Sequence, residues 1–255
     1  MTDQPVLYQL RFSHFNEKAR WALDYKRVPH VRRSSLPVTH VIRAMRLTRA
    51  QTMPILSIDG KAISDSSKII ERLESDHPEP PLYPADPAER ERALELQRYF
   101  GDEVGAELRR VFFFYMLRDE PEALRDMYTR PFGRVEGGSY RAAFPLMKVS
   151  MRKAMAVNEE ETERSLKQSL AGLDRLEAEL DGREYLAGDA FSVADLTVAS
   201  LYYPMVRPPE YQYLYPEPWG TGLDEIRSTL AARPGFAWIA EMWRRHRGSS
   251  AEVKP

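Results

Sequence analysis

The sequence predicts a two-domain α+β protein: a small βαβαββα unit over residues 1–80, a linker at 81–90, and an all-helical bundle from 91 to 255. Three observations carry this prediction. Short apolar runs alternate with amphipathic helical stretches through the first eighty residues. A breaker-rich stretch then runs from His77-Pro78-Glu79-Pro80-Pro81 to Pro84-Ala85-Asp86-Pro87. Beyond it, apolar residues recur at helical spacing, with charges between them.

Taken in order, Val6-Leu7-Tyr8-Gln9-Leu10 reads as a short strand. Ala19 to Tyr25 follows as a helix, with Ala19, Ala22 and Leu23 on one face. Val31 to Ser34 is a weaker second strand, and a loop or helix separates it from the next. Pro54 to Ile58 and Lys61-Ala62-Ile63 form a strand pair around the tight Asp59-Gly60 turn. Ser66 to Glu74 closes the unit as a helix with Ile69, Ile70 and Leu73 inward. This order is the thioredoxin-like arrangement. In the second domain, Ala88–Leu117 and Glu159–Leu180 read as long helices, the latter ended by Asp181-Gly182. Phe191-Ser192-Val193-Ala194-Asp195 is a capping box that opens a helix running to about Tyr203, and Phe236–Arg245 is a last helix. Arg130 to Met155, with Pro131, Gly133, Gly137-Gly138 and Pro145, reads as an extended excursion between helices. Pro204 to Trp219 reads as a stiff, tyrosine- and proline-rich lid, or as a loop packed onto the helical domain.

Composition narrows the function. The formal net charge of -1 offers no global attraction to nucleic acid or to an anionic membrane. The absence of cysteine excludes disulfides, thiolate metal sites and a cysteine nucleophile, and it suits a reducing compartment. Met1 to Pro5 carries no secretory pattern and no apolar run reaches membrane-span length, so a soluble cytoplasmic protein is expected. No metal is expected.

Two segments point to a ligand. Thr52-Met53-Pro54-Ile55-Leu56-Ser57 opens a strand on a proline, a residue confined to strand starts, edges and bulges. A cis Met53–Pro54 bond would leave the backbone N–H and C=O of Met53 for a peptide-like ligand. Asp65 and Ser66 stand at a helix start, where hydroxyls and backbone donors hold charged groups. Together these segments predict a cradle for a small charged peptide.

In five places, in order and properly spaced, the chain resembles the cytosolic glutathione transferase superfamily: Leu7-Tyr8 through Ser13 with Lys18-Ala19-Arg20-Trp21-Ala22-Leu23, Met53-Pro54-Ile55-Leu56, Ile63-Ser64-Asp65-Ser66, Phe191-Ser192-Val193-Ala194-Asp195, and Arg233-Pro234-Gly235-Phe236. The resemblance implies glutathione as co-substrate, held by a thioredoxin-like domain. It also implies an acceptor pocket in the helical domain, a homodimer, and no nucleic-acid or membrane partner. By resemblance, Met53, beside Pro54, pairs its backbone with the cysteinyl part of glutathione, and Asp65 and Ser66 hold the γ-glutamyl amine and carboxylate.

Conjugation needs a thiolate near neutral pH, and a free thiol has a pKa of about 8.5. One hydroxyl donor aimed at the sulfur, aided by the positive end of a helix, supplies roughly 1.5–3 kcal/mol to the charged form. That is enough to bring the thiol near neutrality. Ser13 stands where serine- and cysteine-type relatives keep their catalytic residue, and is the first candidate; a plain helix cap is its alternative reading. His14 replaces the proline usual after that residue. Asn16 replaces the cysteine of relatives with a Ser-His-aromatic-Cys run, and its side-chain amide makes it the second candidate for donating to the sulfur.

Tyr8 falls one residue off the position of a strand tyrosine catalyst and is expected in the core. His14 is expected at the surface or lining the ligand, and the Arg43, Arg46 and Arg49 stretch on a solvated helix face. Ser192 and Asp195 are structural. Phe112, Tyr115 and Tyr211 are the candidates for the acceptor pocket. The sequence therefore predicts a glutathione transferase acting on an apolar or aromatic electrophile. The alternatives are a non-catalytic binding protein of this fold and a glutathione-dependent lyase or isomerase.

Overall fold

The computed structural model describes residues 4–254. Four strands, β1 (Val6–Gln9), β2 (Val31–Ser34), β3 (Ile55–Ile58) and β4 (Lys61–Ser64), form one sheet in the order β2-β1-β3-β4. The β1–β2 pair is parallel, and the β1–β3 and β3–β4 pairs are antiparallel. Helices α1 (His14–Tyr25), α2 (His40–Thr48) and α3 (Ser66–Asp76) complete the thioredoxin-like unit. Leu7 on β1 joins Ala19, Ala22 and Leu23 of α1 and Ile69, Ile70 and Leu73 of α3 in the main core. On the other sheet face, Tyr8 packs with Ala44, Met53 and Ile55. This split follows from the two-residue side-chain period of a strand.

The helical domain comprises α4 (Pro87–Tyr99), α5 (Gly105–Asp119), α6 (Pro121–Thr129), α7 (Arg134–Ala154), α8 (Glu159–Leu180), α9 (Val193–Val206), α10 (Thr221–Leu230) and α11 (Pro234–His246). All fourteen residues of α9 are buried, making it the central rod of the molecule. Its start is fixed by the expected capping box. Asp195 Oδ2 accepts from the Ser192 N–H at 2.8 Å, and the Ser192 hydroxyl accepts from the Ala194 N–H at 3.3 Å. Asp195 Oδ1 also accepts from the Leu186 N–H at 2.8 Å, tying the preceding loop to the helix.

Three expectations change. The helix expected over Ala88–Leu117 is two helices joined by a π segment at Phe100–Val104. Residues 130–155 are not an excursion but mostly the long helix α7. Its Gly137, Tyr140, Phe144 and Met151 are buried at helical spacing, a period that outweighs the nearby glycines and the internal Pro145. In the expected lid, Pro204 belongs to α9, and Tyr211 and Trp219 are buried against the helical domain. The packed-loop alternative describes that stretch.

The chain returns to the first domain at its end. Val253 N–H donates to the His30 carbonyl at 2.9 Å, and Glu252 pairs with His30 as a parallel bridge beside the sheet edge at β2.

Candidate active site

The first turn of α1 is built on Ser13. Its backbone is extended (φ −97°, ψ 127°), and its carbonyl accepts the first helical bond from Glu17 N–H at 2.9 Å. The Ser13 hydroxyl makes no capping bond, so this serine stands in the cap position without spending its side chain there. A partly buried hydroxyl is thus left at the positive end of a twelve-residue helix.

Asn16 is fully buried and engaged on both sides. Its Oδ1 accepts from Leu10 N–H at 3.1 Å, and its Nδ2 donates to the Met53 carbonyl at 3.2 Å. The Met53–Pro54 bond is cis. The Met53 carbonyl, expected to be free for a ligand, therefore already holds one protein donor. Asn16 thereby links the loop before Ser13 to the strand opening at Pro54.

Asp65 caps α3: its Oδ1 accepts from the Ser67 N–H at 2.8 Å and the Lys68 N–H at 3.2 Å. Its φ is +82°, in the region that side-chain-bearing residues rarely adopt, and it is one of few such residues outside plain turns and helix ends. The carboxylate remains exposed, and Ser66 beside it is buried. Sequence reading misses Lys18, which has no exposed surface and donates from Nζ to Ser67 Oγ at 2.9 Å. Burial lowers its pKa to about 8, against the opposing pull of Asp65 and of Asp102 from the helical domain. A lysine one turn into an amphipathic helix reads as solvated, so only the packing of α1 on α3 reveals it.

The helical domain closes over this turn. Gly105 on α5 lets Phe15 approach: a Cβ at 105 would lie 2.6 Å from Phe15 Cζ. Phe12 packs edge-on to Tyr128 of α6, ring centroids 6.2 Å apart, and at the same distance from Tyr213. His14 is buried rather than at the surface, stacks near Phe15, and its Nε2 has no partner. Burial, reinforced by the Arg109 charge, lowers its pKa to about 3, so it is neutral.

The expected acceptor residues do not share one cavity. Tyr211 is buried, stacked on Tyr203 at 4.4 Å, with its hydroxyl donating to the Arg11 carbonyl at 2.7 Å. Phe112 packs on Trp219 at 5.4 Å. Tyr115 lies against Gly222 and under the Arg118 guanidinium, 4.8 Å from its ring centre. Tyr8 is only half-buried. With Arg33, Ser35, Arg43, Arg46 and Glu136 it lines an open groove of about 430 Å³ between α2 and the start of α7.

Among the described residues no group of three or more His, Asp or Glu could hold a metal, and no helix is long and apolar enough to cross a membrane.

The fold and the polar turn at Ser13, Met53 and Asp65 define a thioredoxin-like domain carrying a helical partner domain. The glutathione S-transferase N-terminal domain matches residues 7–81, and the glutathione S-transferase C-terminal domain matches residues 139–218. The chain belongs to the glutathione S-transferase superfamily. It is similar to maleylacetoacetate isomerase of Dictyostelium discoideum, 29% identical over 111 residues, which are 40% of this chain and 49% of that protein. A probable maleylacetoacetate isomerase of Caenorhabditis elegans is 31% identical over 96 residues, 37% of this chain and 45% of that one. The chain thus spans under half the length of these relatives. Solved structures share the fold along nearly the whole chain. A possible glutathione S-transferase from Rhodopseudomonas palustris has a TM-score of 0.64 at 15% identity, covering 99% of this chain and 100% of that one. A β-etherase from Sphingobium sp. strain SYK-6 has a TM-score of 0.59 at 19% identity, covering 93% and 99%. A glutathione S-transferase from Methylobacterium radiotolerans, solved with glutathione sulfonate, has a TM-score of 0.52 at 20% identity, covering 92% and 93%.

Proposed function

We propose that this chain conjugates glutathione to an apolar or aromatic electrophile, with Ser13 Oγ stabilising the thiolate. The observation that carries the reading is the Ser13 hydroxyl, unspent at the N-terminus of α1. In this reading Ser13 O–H donates to the glutathione sulfur and the thiol proton leaves to solvent. The thiolate attacks the electrophilic carbon, a C–S bond forms, and the leaving group departs with its electron pair. Asp65, whose second carboxylate oxygen is not used in capping, accepts from the γ-glutamyl ammonium, and Ser66 and the first amides of α3 meet the α-carboxylate. The Met53 backbone beside Pro54 pairs with the cysteinyl unit. Asn16 takes a positioning role, because both ends of its amide are bound to backbone. Phe112, Tyr115 and Tyr211 stiffen the wall behind the acceptor rather than touching it as one pocket. A homodimer and a cytoplasmic location belong to the same reading.

The test is glutathione-dependent turnover of 1-chloro-2,4-dinitrobenzene. Ser13→Ala should lower kcat/KM at least tenfold while glutathione affinity is kept; an unchanged rate removes Ser13 from this role. A second reading, a glutathione-dependent isomerase or lyase, is favoured by the names of the relatives, an isomerase and a β-etherase. It shares the thiolate but predicts that an isomerised product leaves without glutathione, which mass spectrometry of the product distinguishes.

A further inference from the structure

Arg109 stands out among the arginines of the helical domain. Its neighbour Arg110 is fully engaged, pairing with Glu107 and donating to Ser165 Oγ at 2.6 Å and to the Met155 carbonyl at 3.0 Å. Glu107 is the carboxylate whose charge reaches Arg109, and it is already held by Arg110 and by Ser165 at 2.5 Å. Arg109 has a buried Nε with no partner and forms no ion pair among the described residues. A cation removed from water without a counter-ion costs several kcal/mol of solvation. A fold keeps such a group where an anion arrives from outside.

The position of Arg109 says where that anion would lie. Gly105 and Arg109 are one helical turn apart on α5, and Gly105 faces Phe15 in the first turn of α1. Arg109 is near enough to His14 for its charge to disfavour protonation of that ring. His14 is 3% exposed, its Nε2 has no partner, and it directly follows Ser13. Two unsatisfied nitrogens, one cationic and one neutral, thus come from opposite domains to the turn that carries the Ser13 hydroxyl. Aromatic rings flank the same turn, Phe12 against Tyr128 and Tyr213.

We infer that the acceptor side of this cleft takes an aromatic electrophile bearing a carboxylate, with the Arg109 guanidinium as its counter-ion and His14 Nε2 as a second contact. The electrophile rests on the conjugation reading; the anion does not. The guanidinium offers the planar fork that matches a carboxylate. A neutral imidazole adds a donor without a second charge.

The test compares 4-chloro-3-nitrobenzoate with its methyl ester, which differ in charge and keep the reacting ring. Wild type should favour the acid by about tenfold in kcat/KM over the ratio of the uncatalysed rates, and Arg109→Gln should abolish that preference. A wild type without the preference, or a preference kept in the variant, overturns the inference. If neither compound turns over, the conjugation reading fails, and binding of 3-nitrobenzoate against methyl 3-nitrobenzoate by calorimetry decides the anion site alone. There the acid should bind about tenfold tighter in wild type and equally with the ester in Arg109→Gln. Equal binding in wild type overturns the inference, and so does an unchanged ratio in the variant. Should Arg109→Gln not fold, Arg109→Lys supplies the comparison, and an acid preference as large as in wild type would count against a planar guanidinium contact.

Discussion

Helix α1 carries two polar regions that follow opposite rules. From Glu17 onward its buried charges are completely partnered. Arg20 donates to Glu17 at 2.8 Å, to Gln9 at 2.7 Å and to the Arg11 carbonyl at 2.9 Å. Arg247, from the chain's C-terminal segment, reaches Glu17 at 2.6 Å and Asp24 at 2.9 Å. Asp24 also takes both oxygens to Arg32, at 2.8 and 2.7 Å, and accepts from Ala251 N–H at 2.8 Å. Burial pushes the Asp24 carboxyl up, but Arg247, Arg32 and that backbone bond together hold it below its ordinary value. At the first turn of the same helix, the Ser13 hydroxyl caps nothing, His14 Nε2 has no partner, and Arg109 faces it without an anion. The first region fastens the C-terminal segment and the sheet edge to α1. The second leaves its donors for something the chain does not contain. A satisfied buried charge is scaffold; an unsatisfied one beside a cleft marks a ligand.

The contrast can be broken by mutation. Arg247→Met strands two buried carboxylates, and the loss should be about 3–5 kcal/mol in urea unfolding, since removing one partner of a buried pair leaves an uncompensated charge. A loss under about 1 kcal/mol would mean the network is not what fastens the tail.

The next effect is a pH dependence at the edge of that network. His30 donates from Nδ1 to the Val28 carbonyl at 2.8 Å and accepts on Nε2 from Arg32 at 3.0 Å, which fixes the neutral ring. Burial, with the Arg32 charge, lowers its pKa to about 4. Between that value and the unfolded value of about 6.5 the unfolded chain binds more protons, so stability falls as pH drops through this window. His30→Gln should flatten the melting temperature between pH 6.5 and 4 relative to wild type; an unaltered slope assigns the effect elsewhere.

At the ligand end the effects are on binding and rate. Asp65→Asn keeps an acceptor for the Ser67 and Lys68 amides, so the cap survives while the charge goes. Glutathione affinity by calorimetry should fall roughly tenfold, as expected for one charge-assisted hydrogen bond. Unchanged affinity would leave Asp65 as a cap alone. The smallest expected change is in stability: Ser13→Ala removes no capping bond and should unfold within about 0.5 kcal/mol of wild type. A loss near 1 kcal/mol would show the hydroxyl to be a cap after all.

Much of this was legible in the residues because its signals are local. Strand alternation, the Asp59-Gly60 turn and the Ser192–Asp195 capping box each need only a few neighbouring residues, and each is found where expected. Helix α7 was not legible, because its glycines and Pro145 are local breakers whereas its buried face needs a partner surface to be recognised. Asn16 was read as a possible sulfur donor from its position; what it bonds depends on Met53, thirty-seven residues away. His14 was placed at the surface by its neighbours in sequence, and buried by α5, which approaches through Gly105.

The sequence by itself determined the two-domain α+β plan, the element order of the first domain and the residues gathered at the turn of Ser13, Met53 and Asp65, because periodicity, caps and turn chemistry act over one or two helical turns. Only the tertiary structure decided which polar groups on α1 are matched and which are left open. That depends on Arg247, Arg32 and Arg109, which are far from α1 in the chain or on other elements, and burial prices a charge by what lies across from it rather than by what precedes it.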